Sequence, residues 1–312
     1  MRIVISGSSG LIGSALAASL SAQGHEIVRL VRRREDADTS TAYWDPAVGA
    51  IETSRLEGAD AVVHLAGESI ATGRWSADKK RRIRDSRVDG TRLLSEALAD
   101  LDRPPSALVS ASAIGYYGDR GDEVLTERSE LGRGFLAEVG AEWEAVTGPA
   151  KAAGIRVVNL RIGIVLASGG GALSAMLPVF RLGLGGPLGR GTQYMSWIEV
   201  GDLVRAIEHV LDNEELEGPV NAVSPMPVTN RAFTRTLGRV LGRPVILFVP
   251  SAALRLAFGE MAEETLLASA RVSPERLVAT GFSFHYPELE GALRHVFGAR
   301  RILPIRRRPE SG

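Results

Sequence analysis

Short apolar runs alternate with longer stretches of helical period through the first half of the chain. The runs read RIVIS (2–6), HEIVRLV (25–31), AVVHLA (61–66), ALVSAS (107–112) and IRVVNLRIGIVL (155–166). They are nearly continuous rather than alternating, which predicts strands buried on both faces. Between them, residues 12–23, 77–100 and 135–153 carry helical patterning. Strand–helix alternation of this kind predicts an α/β fold, a doubly wound parallel sheet of Rossmann type. Glycine-rich sequence takes over at 169–171 and 183–191, followed by a strand-like YMSWIEV (194–200), a helix over 202–212 and VNAV (220–223). The last third mixes helices with two further strand-like runs, VILFVP (245–250) and GFSF (281–284). The expected partition is a sheet domain over 1–166 to which 194–224 returns, a smaller substrate-side lobe mainly over 167–298, and a solvated basic tail over 299–312.

The junction of the first strand and first helix carries the clearest chemistry. Gly7, Gly10 and Gly13 stand three residues apart, followed by the small-residue helix SALAASLSAQG. The first glycine allows a tight turn, the second lets a pyrophosphate approach the backbone, and the third lets helix and strand pack closely. Backbone N–H groups and the positive end of the helix dipole then face the anion. This predicts a dinucleotide site over Gly7, Ser9, Gly10, Leu11, Ile12 and Gly13; an ordinary glycine-rich turn is the alternative.

The second strand refines the cofactor. An acidic residue at its end would bind the adenosine ribose and favour NAD. Here that slot falls on Val31, and Arg32, Arg33 and Arg34 follow. A guanidinium matches the fork geometry of a phosphate, so NADP(H) is expected, with Arg32 the first choice and Arg33 the second. A solvated basic turn is the alternative.

Composition narrows the rest. The 312 residues contain no cysteine, which excludes disulfides, thiol nucleophiles, thiolate zinc sites and iron–sulfur clusters. The five histidines lack ligand spacing, so no metal site is expected. Basic and acidic residues balance at 37 each, and no chain-wide field favours nucleic acid or a membrane surface. No segment reads as a signal peptide or a long apolar span, and a cytoplasmic location is expected.

Several segments together resemble the extended short-chain dehydrogenase/reductase family, which includes NAD(P)-dependent sugar epimerases and dehydratases. The glycine spacing matches, with Ser6 where that family usually has Thr. LEGADAVVHLAGE (56–68) looks like its cofactor-flanking strand, LRIGIVL (160–166) like its nicotinamide-side segment, and YMSWIEVGDLVRAI (194–207) like the element after the sheet, with Glu199 in place of His. GRWSADKKRRIRDSRVDGTRLL (73–94), SASAIGYYG (110–118), GGPLGRGTQYMSWIEV (185–200) and RVSPERLVATGFSFHYPELEGAL (271–293) resemble one atypical branch with a C-terminal domain of unknown function, loosely called nucleoside-diphosphate-sugar epimerases. The resemblance covers about residues 1–298. It implies cofactor contacts from Leu65, Ala66, Gly67, Glu68, Ser110, Ala111, Arg161 and Ile162. It also implies pocket positions at Gln193, Trp197 and Glu199, a small-molecule substrate and a possible homodimer.

The resemblance also implies a Ser, a Tyr and a Lys four residues after the Tyr. That lysine favours the tyrosinate electrostatically, so the phenol exchanges a proton while hydride moves at the nicotinamide. Four residues after Tyr43, Tyr116, Tyr117, Tyr194 and Tyr286 stand Ala47, Arg120, Gly121, Ile198 and Glu290, so the pair is absent. The helix expected to carry it, FLAEVGAEWEAVTG (135–148), has neither residue. Ser112, Tyr116 and Tyr117 are the remaining catalytic candidates. Arg74, Lys80 and Arg87 border the expected cleft as candidate anion ligands, with Arg87 where extended members often place Asn. Two readings stay open: an NADP(H)-dependent oxidoreductase or epimerase-like enzyme on a small sugar- or carbonyl-bearing substrate, and a catalytically silent NADP(H)-binding sensor.

Overall fold

The computed structural model describes residues 1–33, 40–71 and 73–298. The expected tail over 299–312 lies outside the described residues. Five strands of the main sheet come from the runs read above: β1 (Arg2–Ser6), β2 (Glu26–Val31), β5 (Ala61–His64), β6 (Ala107–Ala113) and β8 (Arg156–Ile162). Three more complete it: β3 (Thr41–Asp45), β4 (Ala50–Ile51) and β12 (Gly218–Ala222). The order is β12-β8-β6-β5-β1-β2-β3-β4, parallel throughout except for β4, which runs antiparallel to β3.

Strand alternation divides the core between the two faces. Ile3 and Ile5 point to one side, where α1 (Leu11–Ala22) and α6 (Val200–Asp212) bury Leu16, Leu20, Ile207 and Val210 against them. Val4 and Val62 point to the other, where α2 (Ala77–Ala99) and α4 (Gly148–Ala152) contribute Leu94, Leu98 and Ala150. Coverage on both faces explains why these strands read as unbroken apolar runs.

Several predicted elements divide or dissolve. The helix expected over 135–153 is α3 (Phe135–Ala145) followed by α4, because Gly148 and Pro149 start a new helix. The run 155–166 breaks at Gly163, where a Cβ would press on the Ser196 carbonyl oxygen at 2.7 Å. Beyond that point β9 (Ile164–Leu166) leaves the sheet and pairs with β11 (Trp197–Glu199). The run 194–200 likewise splits at Ser196 into β10 (Tyr194–Met195) and β11. VILFVP forms no strand; one bridge, Leu188 to Val249, touches it. GFSF turns instead, so that Phe282 packs onto the core.

The C-terminal lobe packs α5 (Gly171–Arg181), α7 (Asn230–Leu241) and α10 (Leu289–Gly298) around Phe180, Trp197, Phe233 and Leu293. A short strand β13 (Val228–Thr229) pairs with β10. After α8 (Ser251–Phe258) a π-helical turn spans Ala262–Leu267. Next, β14 (Arg271–Val272) pairs with β7 (Val124–Leu125), and α9 (Glu275–Ala279) packs beside β12. No helix among the described residues is long and apolar enough to cross a membrane.

Candidate functional site

The glycine turn forms a cradle that side chains would fill. Gly7 sits at φ +68°, and a Cβ there would stand 2.8 Å from the Leu65 carbonyl carbon. A Cβ on Gly13 would overlap the Gly7 carbonyl oxygen. Gly10 occupies the N-cap position of α1 without any side-chain cap, and the first turn carries no acid. Such a helix start offers its N–H groups and dipole to an anion, so the residues fit a dinucleotide pyrophosphate. Ser9 is exposed here, Leu11 and Ile12 are half-buried, and Gly13 is buried.

Parallel register brings the other cofactor candidates to the same sheet edge. Ser6 pairs with Leu30 on one side and His64 on the other, so Arg32 and Leu65 both flank the glycine turn. Arg32 and Arg33 are exposed. Ser6 Oγ accepts hydrogen bonds from the Leu65 and Ala66 N–H groups at 3.1 and 3.3 Å, which ties this segment to the turn. Its own proton then goes to Nδ1 of buried His64 at 2.6 Å. Gly67 is exposed, with the Arg87 guanidinium packed over it.

The end of β6 holds a connected cluster of polar side chains. Register places Ser112 beside Arg161 and Ala113 beside Ile162, while Ser110 and Ala111 are buried one turn of the pleat earlier. Ser112 Oγ donates to Glu144 Oε1 at 2.7 Å. Arg161 grips both oxygens of Glu144 at 2.8 Å and donates to the Tyr117 hydroxyl at 3.0 Å. Its guanidinium carbon also lies 3.5 Å from the centroid of the Tyr116 ring. Glu144 was invisible to sequence reasoning, because only the fold brings a residue of α3 to both β6 and β8.

Helix α3 packs closely against the turn that carries Tyr116. Leu136, Gly140 and Glu144 lie four residues apart on one helix face. A Cβ on Gly115 would meet Leu136 at 3.2 Å, and one on Gly140 would meet the Tyr116 Cα at 3.3 Å. The segment Ile114–Tyr117 therefore rests directly on the helix, at contact distance. A large side chain at 140 would displace Tyr116.

Several sequence candidates take other roles. Tyr117 is fully buried; it donates to Asn221 at 2.7 Å, and burial pushes its phenol up. Trp197 is equally buried in the C-terminal core, its indole N–H donating to the Met226 carbonyl at 3.2 Å. Glu199 caps α6 by accepting the Asp202 N–H at 3.0 Å, and burial holds its carboxyl above the usual range. Gln193 spends its amide on the carbonyls of Leu188 and Leu266. All four side chains are thus buried, with their polar groups spent on partners inside the protein. Tyr116, by contrast, is half-buried, and its hydroxyl has no hydrogen-bond partner among the described residues.

The basic candidates are partly committed. Arg74 donates to the Leu256 carbonyl at 2.9 Å, and Lys80 pairs with Glu260 at 2.7 Å. Arg87 donates to the Glu68 carbonyl at 3.0 Å; burial lowers it to about 10 against the pull of Glu68. The Glu68 carboxylate itself pairs with buried Lys79 at 2.7 Å, which holds it below its usual range.

Comparison with known proteins places this geometry. Residues 3–222 match the NAD dependent epimerase/dehydratase family, and 249–296 match the domain of unknown function DUF1731. An epimerase family protein of Mycobacterium tuberculosis is 46% identical over 291 residues, 93% of this chain and 96% of that protein. The crystal structure of human epimerase family protein SDR39U1 (isoform 2) with NADPH superposes at a TM-score of 0.86 with 35% identity, covering 95% of this chain and 99% of that one. A nucleoside-diphosphate sugar epimerase from Corynebacterium glutamicum gives 0.78 with 38% identity over 96% of this chain and 58% of its own. The chain belongs to the NAD dependent epimerase/dehydratase family, in the group that carries DUF1731 at its C-terminal end.

Proposed function

We propose that the chain is an NADP(H)-dependent oxidoreductase or epimerase-like enzyme acting on a small polar substrate that bears a sugar or carbonyl group. The reading rests on the Ser112–Glu144–Arg161–Tyr116 cluster at the C-terminal edge of the parallel sheet, where ligands bind in open α/β folds. The backbone of Gly7, Ser9, Gly10, Leu11, Ile12 and Gly13 would hold the pyrophosphate. Arg32, with Arg33 beside it, would meet the 2′-phosphate; the NADPH in the human relative supports this choice. The bound nicotinamide supplies the hydride exchange.

Proton transfer falls to Tyr116. Its hydroxyl has no hydrogen-bond partner among the described residues and is free to give or take a proton, and the Arg161 guanidinium, packed over its ring face, holds the ring in place. Ser112 acts as a fixed neighbour. The Glu144 carboxylate, held by both arms of Arg161, accepts the serine proton, so the Ser112 oxygen presents lone pairs rather than a proton.

That same orientation favours a second reading, a silent NADP(H)-binding sensor, because a serine that keeps its proton on Glu144 stabilises an oxyanion poorly. Loading with NADPH and screening carbonyl compounds and nucleotide sugars separates the two. Turnover at the nicotinamide absorbance band that falls at least about tenfold in Tyr116→Phe establishes the enzyme. Tight NADPH binding with no turnover establishes the sensor. Equal dissociation constants for NADPH and NADH would defeat the cofactor assignment.

A further inference from the structure

The C-terminal lobe separates charge in a way the whole-chain balance conceals. Residues 167–198 and 218–259 contain seven arginines and no aspartate, glutamate or lysine, in a chain whose formal charge is zero. Helix α7 sets Arg231, Arg235 and Arg239 in one row, away from the face that buries Phe233 and Leu237. Arg239 and Arg255 pair with Glu290 and Glu263. The other five, Arg181 and Arg243 among them, have no carboxylate partner among the described residues.

The row leads into exposed apolar surface. Gly242 ends α7 at φ +63°, and the chain continues through 244–249 alongside 182–188. Pro244 lies against Gly183, and the Leu247 carbonyl against Gly186. On these two adjacent segments Leu182 is 74% exposed, Leu184 51%, Ile246 78% and Phe248 61%. Scattered exposed apolar residues are ordinary, but a cluster of them beside unpaired cations marks a docking surface.

We propose that this face docks the protein peripherally on an anionic lipid bilayer. Ile246 and Phe248 enter the headgroup–acyl boundary, and the arginines of α7 and of 181–190 meet lipid phosphates. Charge selects this occupant. A second copy of the chain would oppose its own unpaired arginines across the interface, whereas anionic headgroups complement them. Guanidinium forks suit phosphate oxygens, and an interfacial surface needs no spanning helix.

Cosedimentation of the full chain with vesicles provides the test. Vesicles of phosphatidylcholine with roughly a third phosphatidylglycerol should bind at least about tenfold more protein than phosphatidylcholine alone, with binding that falls as salt rises. The double variants Ile246→Asp/Phe248→Asp and Arg235→Glu/Arg243→Glu should each drop to the phosphatidylcholine level while melting temperature and NADPH affinity stay unchanged. Binding indifferent to anionic lipid, or retained in both double variants, would overturn the proposal. So would a concentration-dependent dimer that Phe248→Asp dissolves, since that assigns the face to a second copy.

Discussion

Replacing Gly13 with alanine should reduce NADPH affinity by at least tenfold and cost about 1–3 kcal/mol of stability, because the new methyl overlaps the Gly7 carbonyl and pushes the turn out of shape. Isothermal titration and denaturant melts read the two effects; retained affinity would show that the turn does not hold the cofactor. A second expectation concerns His64. Its Nδ1 takes the Ser6 proton, its Nε2 has no partner among the described residues, and burial lowers the imidazole to about 4. A depressed folded pKa means that the unfolded chain binds the proton more readily. Stability is therefore full above the unfolded value near 6.5 and is lost as pH falls from there towards 4, by about 3 kcal/mol in all. Thermal melts across that window should fall more steeply for the parent than for His64→Gln, and parallel slopes would refute the assignment. The glycines were legible because their spacing is local. Glu144, Lys79 and the buried state of Tyr117 were not, because their partners lie on strands and helices that only the assembled sheet brings near.

At the scale of elements, runs that bury both faces gave themselves away, as β1, β5 and β6 did. The short strand TAYWD of β3 lacked such a run and went unread. VILFVP had the composition of a strand, but among the described residues a single bridge, Leu188 to Val249, is the pairing it makes. The start of α3 is another feature that composition could not announce. Its Phe135 and Leu136 N–H groups donate to the two oxygens of Glu264 at 3.2 and 3.1 Å, a cap reached from the far lobe past Gly134 at φ +105°. In sequence Glu264 is one half of an ordinary acidic pair. Glu264→Ala should cost about 1–2 kcal/mol through the lost cap and dipole interaction. Glu263→Ala, which breaks only an exposed pair with Arg255, should leave stability close to the parent's. Urea melts that give the two variants equal losses would show that the cap adds nothing.

On the scale of the whole molecule, segments far apart along the chain complete one sheet. The edge strand β12 pairs with β8 from Val158 to Ile162, and α6 lays Leu203, Ile207 and Val210 on the sheet. Arg156 at the start of β8 donates to the carbonyls of Val210, Leu211 and Leu216. Buried Glu127 accepts the N–H groups of both Asn221 and Arg276, so even the last third is tied to the part before residue 166. Each fully buried aliphatic side chain contributes roughly 1.5–3 kcal/mol, and three from α6 alone approach the roughly 5–15 kcal/mol by which a whole domain is stable. A fragment of residues 1–166 should therefore show no cooperative melt and no NADPH binding, although it contains the entire glycine cradle. The intact chain should melt in one transition that NADPH shifts upward. A fragment that melts cooperatively and binds NADPH would reduce the returning segment 194–224, with β12 and α6, to an accessory layer. Failure of the fragment beside an intact chain that binds would instead make the cofactor site a property of the completed sheet.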